Sequence, residues 1–208
     1  DEADDMLNMG FKDDIEFILK NTPNRQSTWL FSATMPAEIA KLSGEILHDP
    51  VAINVQRQSA PAVGITQAVY PVVQERKAAL LMELLKRREI DEALVFTRTK
   101  HRADRLTKIL IKEGLSADRI HGNRSQPQRT AALAGFKNGT LRVLVATDIA
   151  ARGIDVEALG HVINFDVPAV PDDYIHRVGR TARAELTGSA FTLAAPEEEG
   201  SLRDIERA

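Results

Sequence analysis

The stretch from Val143 to Arg183 gathers side chains suited to anionic chemistry. A hydrophobic run, Val143-Leu144-Val145, ends in Thr147-Asp148, and Arg152, Gly153 and Asp155 follow. A second apolar run, His161 to Phe165, leads to Asp166 and then to His176, Arg177, Arg180 and Arg183. Arginine bonds phosphate oxygens in pairs and stays charged. Arg177, Arg180 and Arg183 recur at intervals of three, so on one helix or tight turn they would share a broad face. Two readings are open at this point. One is a solvated basic face or a set of surface ion pairs. The other is a site for a polyanion: a nucleotide γ-phosphate, an RNA backbone, or both.

Such residues need strand ends to hold them. From Ile65 onward the pattern predicts alternating strands and helices. Strands are expected at Gln67–Val73, Ala93–Thr97, Asp118–His121, the two runs already named, and Gly188–Leu193. The first should lie at a sheet edge, because Pro71 cannot donate to a ladder. Helices are expected over Glu75–Arg88, over Lys100–Glu113 closed by Gly114, from an N-cap at Ser125 to about Asn138, and over Glu197–Arg207. The alternation implies a mostly parallel sheet covered on both faces. Right-handed crossovers then deliver Thr97, Thr147-Asp148 and Asp166 to one edge. Glu197-Glu198-Glu199 reads as a solvated first helical turn. Residues 1–57 read as the last part of another domain. They hold a short helix around Ile15–Leu19, a β-prone run Thr28–Phe31, a helix after Pro36 through Ile39 and Leu42, and a short strand Val51–Val55. Residues 58–64 form the linker, and residues 65–208 the second domain.

Composition agrees with a soluble globular protein. Hydrophobic residues make up 43% and charged residues 27% of 208 positions, enough for a sizeable core. There is no cysteine, which excludes a disulfide framework and fits a reducing, cytoplasmic setting. No apolar run approaches a membrane span. The net charge of −3 hides a division. Residues 1–57 carry 10 acids and 5 bases, whereas residues 58–195 carry 15 acids and 20 bases, so the second block is the one suited to phosphate.

The motifs occur in a telling order: DEAD at Asp1–Asp4, SAT at Ser32–Thr34, FTRTK at Phe96–Lys100, HG with SQPQR at His121–Arg129, ATDIAARGIDV at Ala146–Val156 and HRVGRTAR at His176–Arg183. In this the chain resembles the DEAD-box RNA helicases, and its RTARAELTG segment is similar to the bacterial RhlE branch. Ala182 and Glu185 depart from the glycines common in the last motif. The resemblance implies a RecA-like three-layer α/β/α domain, preceded by the C-terminal remnant of a first RecA-like domain. Neither the phosphate-binding loop GxxxxGK[ST] nor the adenine-reading glutamine motif is in the chain. It is therefore expected to be an excised segment, inactive alone and dependent on the rest of its first domain.

The resemblance also assigns roles. Asp1 would hold Mg²⁺, mostly through water, and Glu2 would orient and deprotonate the attacking water, the residue-level alternative being a frayed acidic terminus. Asp4, Ser32, Thr34 and His176 would couple hydrolysis to unwinding, with Ser32 and Thr34 able to bond Asp4 and His176 or to cap the following helix. Arg180 and Arg183 would reach the ATP γ-phosphate, Asp155 the ribose hydroxyls, and Arg177 remains open as an ion pair. Thr97, Arg98, Thr99, Gly122, Gln126, Arg129, Thr147 and Arg152 would hold the RNA sugar-phosphate backbone without reading bases. Gln126 and Arg129 could equally serve as helix-surface hydrogen-bonding groups. ATP and RNA would bind across the cleft of the intact enzyme. The rivals are a non-catalytic RNA-binding or adaptor module and a related superfamily-two DNA helicase.

Overall fold

A computed structural model describes the chain except Asp1, Met9, Ala33, Pro36 and residues 55–63, 87–89, 152–158 and 182–187. The chain divides into two compact units, Asp1–Arg57 and Gln58–Ala208. Of the linker expected at 58–64, only Gly64 is among the described residues.

Among the described residues, the second unit is built on one sheet of six strands, all parallel. These are β1 (Ile65–Pro71), β2 (Ala93–Phe96), β3 (Ala117–Ile120), β4 (Val143–Ala146), β5 (His161–Asn164) and β6 (Gly188–Ala194), in the order β1-β6-β5-β2-β4-β3. β1 lies at an edge as Pro71 requires, and Val72 N donates to Ala194 O at 2.8 Å just past its end. β2 and β4 are short and apolar at every position because both faces are covered. Ala93, Val95, Val143, Val145 and Ile163 face one core, which also contains Leu81 and Leu85 of α4 (Lys77–Lys86) and Leu106 and Leu110 of α5 (Lys100–Lys112). Leu94, Phe96, Leu144, Ala146 and Val162 face the other, with Ala132 and Phe136 of α6 (Gln126–Lys137). The period-two alternation of each strand thus divides its side chains between two helical layers.

The helix boundaries follow local chemistry. Thr99 caps α5 by accepting from Arg102 N at 3.2 Å. Gly114 follows α5 at φ +85°, and Gly139 follows α6 at φ +75°, the left-handed geometry that glycine adopts most readily. Two 3₁₀ turns, Gln74–Arg76 and Pro196–Glu198, lead into α4 and into α9 (Glu199–Arg207). The short α7 (Asp148–Ala151) and α8 (Pro171–Val178) leave the ends of β4 and β5.

The first unit contains α1 (Ala3–Asn8), α2 (Lys12–Asn21) and α3 (Ala37–Ile46), with α1 packed on α3 and with Ile39 and Leu42 buried. The strands expected at Thr28–Phe31 and Val51–Val55 do not form among the described residues: Thr28–Phe31 and Val51–Asn54 join no ladder. β-prone residues become a strand only when a neighbour accepts their backbone bonds. Trp29 is 76% exposed and Val51 88% exposed, so neither has found a face to cover.

Candidate functional site

Three adjacent strands bring the residues expected to hold an RNA backbone toward one edge. At the end of β2, Thr97 N donates to Ala146 O at 2.9 Å and Thr97 itself is fully buried. Its hydroxyl is turned to Thr99 O at 3.3 Å, so Thr97 shapes the turn from inside it. Arg98 projects from that turn with its side chain about half exposed. Beyond β4, Thr147 N donates to Ile120 O at 3.3 Å, and Thr147 O accepts from Ala150 N and Ala151 N to start α7. Past β3, Gly122 and Gln126 are exposed. Arg129 reaches Gln126 Oε1 at 3.3 Å and Ala150 O at 3.4 Å, which joins α6 to α7.

The turn carrying Gly122 is braced on both sides. His121 is buried; its Nδ1 accepts from Asn123 N at 3.3 Å and its Nε2 lies 3.1 Å from Asp104 Oδ1. Those partners place the ring proton on Nε2. Burial alone would raise the Asp104 carboxyl, but hydrogen bonds from Arg119 and His121 hold it below the usual carboxylate value. Lys100 Nζ donates to Asn123 Oδ1 at 3.0 Å from the start of α5.

The arginines after β5 separate into different roles. α8 stops at Val178, so Arg177 and Arg180 do not lie along one helix; Arg183, like Asp1, Arg152 and Asp155, falls outside the described residues. Arg177 is buried. Its fork takes both carboxylate oxygens of Asp148, at 2.6 and 2.9 Å, while Nη1 donates to Asn164 Oδ1 and Asp166 O at 3.2 and 2.7 Å, and the guanidinium lies 5.0 Å over the Phe96 ring. It is a structural tie between α7, α8 and the sheet. Arg180 follows in a turn whose backbone is fixed twice, by Arg180 N to Arg177 O at 3.1 Å and Leu159 N to Arg180 O at 3.2 Å. Arg180, His176, Asp173 and Phe96 line a depression beside the Arg177–Asp148 pair. His176 is exposed there.

In the first unit, Asp4 meets both residues expected of it. Its Oδ2 accepts from Thr34 N at 2.9 Å and Thr34 Oγ1 at 2.6 Å, and Asp4 N donates to Ser32 Oγ at 3.1 Å. Burial would raise this carboxyl, but the bonds to Thr34 and Ser32 outweigh it and hold it low. Glu2, exposed at φ 53°, immediately precedes α1.

One group escaped the sequence reading altogether. Glu198 is buried, not solvated. It accepts from Lys77 Nζ and Ala195 N through Oε2, and from Arg98 and Val167 N through Oε1, each at 3.2 Å. Lys77 is fully buried and also donates to Phe165 O at 2.8 Å. Asp166, fully buried, accepts from Arg98 N at 2.9 Å. The Arg102 guanidinium sits 2.6 Å from Asp166 Oδ1, off the line of a good hydrogen bond. The signal lay in helical register. Lys77 precedes the buried Leu81 and Leu84 by four and seven residues, and a lysine on an apolar face needs a buried acid.

Comparison with known proteins sharpens this arrangement. Residues 76–185 match the helicase conserved C-terminal domain family, and residues 1–42 match the DEAD/DEAH box helicase family. The chain is 46% identical over 207 residues to the DEAD-box ATP-dependent RNA helicase CshA of Bacillus subtilis, covering all of this chain and 42% of that protein. It is 45% identical over 206 residues to the ATP-dependent RNA helicase CshA of Listeria monocytogenes, covering 99% of this chain and 40% of that protein. The chain thus spans about two-fifths of the length of these relatives. Among solved structures, a DEAD box protein of the hyperthermophile Methanococcus jannaschii superposes with a TM-score of 0.67 at 40% identity, covering 99% of this chain and 55% of that one. The Escherichia coli DEAD-box protein SrmB, solved bound to regulator of ribonuclease activity A, gives 0.66 at 40% identity, over 69% of this chain and 85% of that one.

Proposed function

Because the chain belongs to the DEAD-box helicase family, we propose that the protein is an ATP-dependent RNA helicase, in which RNA-stimulated ATP hydrolysis drives local opening of an RNA duplex. The observation that carries the reading is the convergence of Arg98, Gly122, Gln126, Arg129 and Thr147 on the ends of three neighbouring strands, β2, β4 and β3. Hydroxyl, amide and guanidinium donors on one edge suit a sugar-phosphate backbone and carry no base code. The sequence holds one Trp and two Tyr, too few for a stacking platform, so binding is largely sequence-independent. Thr99 and Arg152 belong to the same grip through the family pattern.

The residues beside α8 fit the phosphate end of ATP. Arg180 and His176 border one depression, and Arg177 is committed to Asp148 and cannot serve the ligand as well. ATP supplies the phosphoanhydride whose cleavage releases the free energy. Arg180 and Arg183 neutralise charge on the terminal phosphoryl group, Asp155 accepts from ribose, and Glu2 orients and deprotonates the attacking water. Mg²⁺, held through water by Asp1, enters the proposal through the DEAD motif. Asp4, Ser32, Thr34 and His176 couple hydrolysis to RNA. No helix among the described residues is long and apolar enough to cross a membrane, and we place the protein in the cytoplasm. The same reading takes residues 1–57 as part of the first RecA-like domain, 58–64 as a linker and 65–208 as the second.

The test uses the full-length protein. Arg180→Ala loses roughly 10³-fold or more of RNA-stimulated ATP turnover, while RNA affinity stays within several-fold. Turnover at the wild-type level, or a collapse of RNA binding instead, refutes the division of labour among the arginines. DNA that stimulates turnover as well as RNA does refutes the choice of substrate.

A further inference from the structure

We infer that Glu198 is a positioning residue for RNA binding, acting through Arg98; the inference rests on the proposed RNA grip of the β2 edge. Arg98 Nη2 makes two bonds, to Glu198 Oε1 at 3.2 Å and Val167 O at 3.1 Å, while about half the side chain remains at the surface. Its backbone is fixed separately, by Arg98 N to Asp166 Oδ2 at 2.9 Å. One end of the guanidinium is thus anchored to the buried network while the rest stays exposed to solvent beside the end of β2. An arginine held this way has already lost the rotamer freedom that a mobile one would lose on binding phosphate.

Glu198 can hold Arg98 only because it is itself immobile. Four donors converge on its two oxygens: Lys77 Nζ and Ala195 N on Oε2, and Arg98 and Val167 N on Oε1. Lys77 is fully enclosed and sits 3.8 Å from Asp166 Oδ1, so its charge has two acids and the Phe165 carbonyl for company. The group stitches the ends of β1, β2, β5 and β6 together through α4, the Arg98 turn, Asp166 and the turn before α9. The segment preceding the last helix therefore positions an arginine 100 residues earlier in the chain.

Glu198→Gln isolates this role. Glutamine offers one acceptor oxygen where the carboxylate offers two. The buried ammonium of Lys77 has the stronger claim on that oxygen, which turns the amide NH₂ toward Arg98 and releases it. The experiment measures binding of single-stranded RNA to full-length protein across a salt series, for wild type, Glu198→Gln, Arg98→Ala and the double variant. Glu198→Gln is expected to weaken binding by about five- to twenty-fold, the order of one charge-assisted contact. The double variant should bind no more weakly than Arg98→Ala alone, because both changes remove one interaction. The slope of log affinity against log salt should fall by about 0.7 in either single variant, as expected for one lost phosphate contact on a single strand. Arg98→Lys, an exposed change that leaves the buried network filled, should also weaken binding, since an ammonium cannot bond Glu198 and Val167 while extending a fork to phosphate.

Losses that add in the double variant, an unchanged salt slope in Glu198→Gln, or full affinity in Arg98→Lys each overturn the inference. If Glu198→Gln fails to fold, the Arg98→Lys result decides alone. Wild-type protein that does not bind RNA refutes the underlying reading instead, which keeps the two failures apart.

Discussion

Arg177 and Arg180 stand three residues apart and serve different ends. Arg177 uses all three of its side-chain nitrogens in four bonds to Asp148, Asn164 and Asp166, so it fixes the place from which Arg180 emerges. Asp4 shows the same economy among acids. Two donors from Thr34 fix its carboxylate, and its backbone N–H is fixed by donating to Ser32 Oγ. Its folded-state pKa is depressed. The stability it contributes is therefore fully present above its unfolded value, near 4, and is lost as pH falls through the lower folded value. A carboxyl NMR titration of full-length protein should place the Asp4 midpoint below that of an exposed aspartate. Thr34→Val, which removes the hydroxyl donor, should move the midpoint up. A midpoint at the ordinary value would mean that the Asp4–Thr34 bond does not persist in solution.

At the scale of elements, termini and periodicity decided what could be read. Gly114 sits at φ +85° with open space where a side chain would point. Gly114→Ala should therefore cost only its backbone strain, roughly 1–2 kcal/mol. Chemical denaturation should show the midpoint falling with an unchanged slope; no shift would mean the α5 terminus relaxes freely. The capping of α6 was equally plain from Ser125, and the structure adds Gln128, whose Oε1 accepts from Ser125 N at 3.1 Å. Buried strands β2 and β4 were visible as short apolar runs, and the strand-end positions of Thr97, Thr147 and Asp166 followed from the alternation with helices. What stayed hidden depended on neighbours far away in sequence. Glu198 looks like a helix-initiating acid until Lys77, 121 residues earlier, is placed against it. Trp29 and Val51 have strand-forming side chains, but β-propensity describes fit to a pleated surface and names no partner.

At the scale of the molecule, the two units differ in what holds them. The second has two apolar layers on a six-stranded sheet, a complete core by ordinary standards. Among the described residues of the first, the buried apolar side chains are Ala3, Ile39 and Leu42, too few for independent stability in a chain of that length. Residues 58–208 produced alone should unfold in one cooperative calorimetric transition, whereas residues 1–57 alone should show none. A sharp transition in the shorter piece would overturn that view. The pairing of β1 with β6 has one more consequence. Ile65 meets Gly188 in register, so the ladder joins positions separated by about 120 residues, and β6 is also the strand that links β1 to the rest of the sheet. During translation at about 5–20 residues per second, β1 leaves the ribosome roughly ten seconds before its partner exists. Through that interval an unpaired strand bearing Val69 and Tyr70 must be kept from other nascent chains, and a message truncated ahead of the Gly188 codon would leave it unpaired for good.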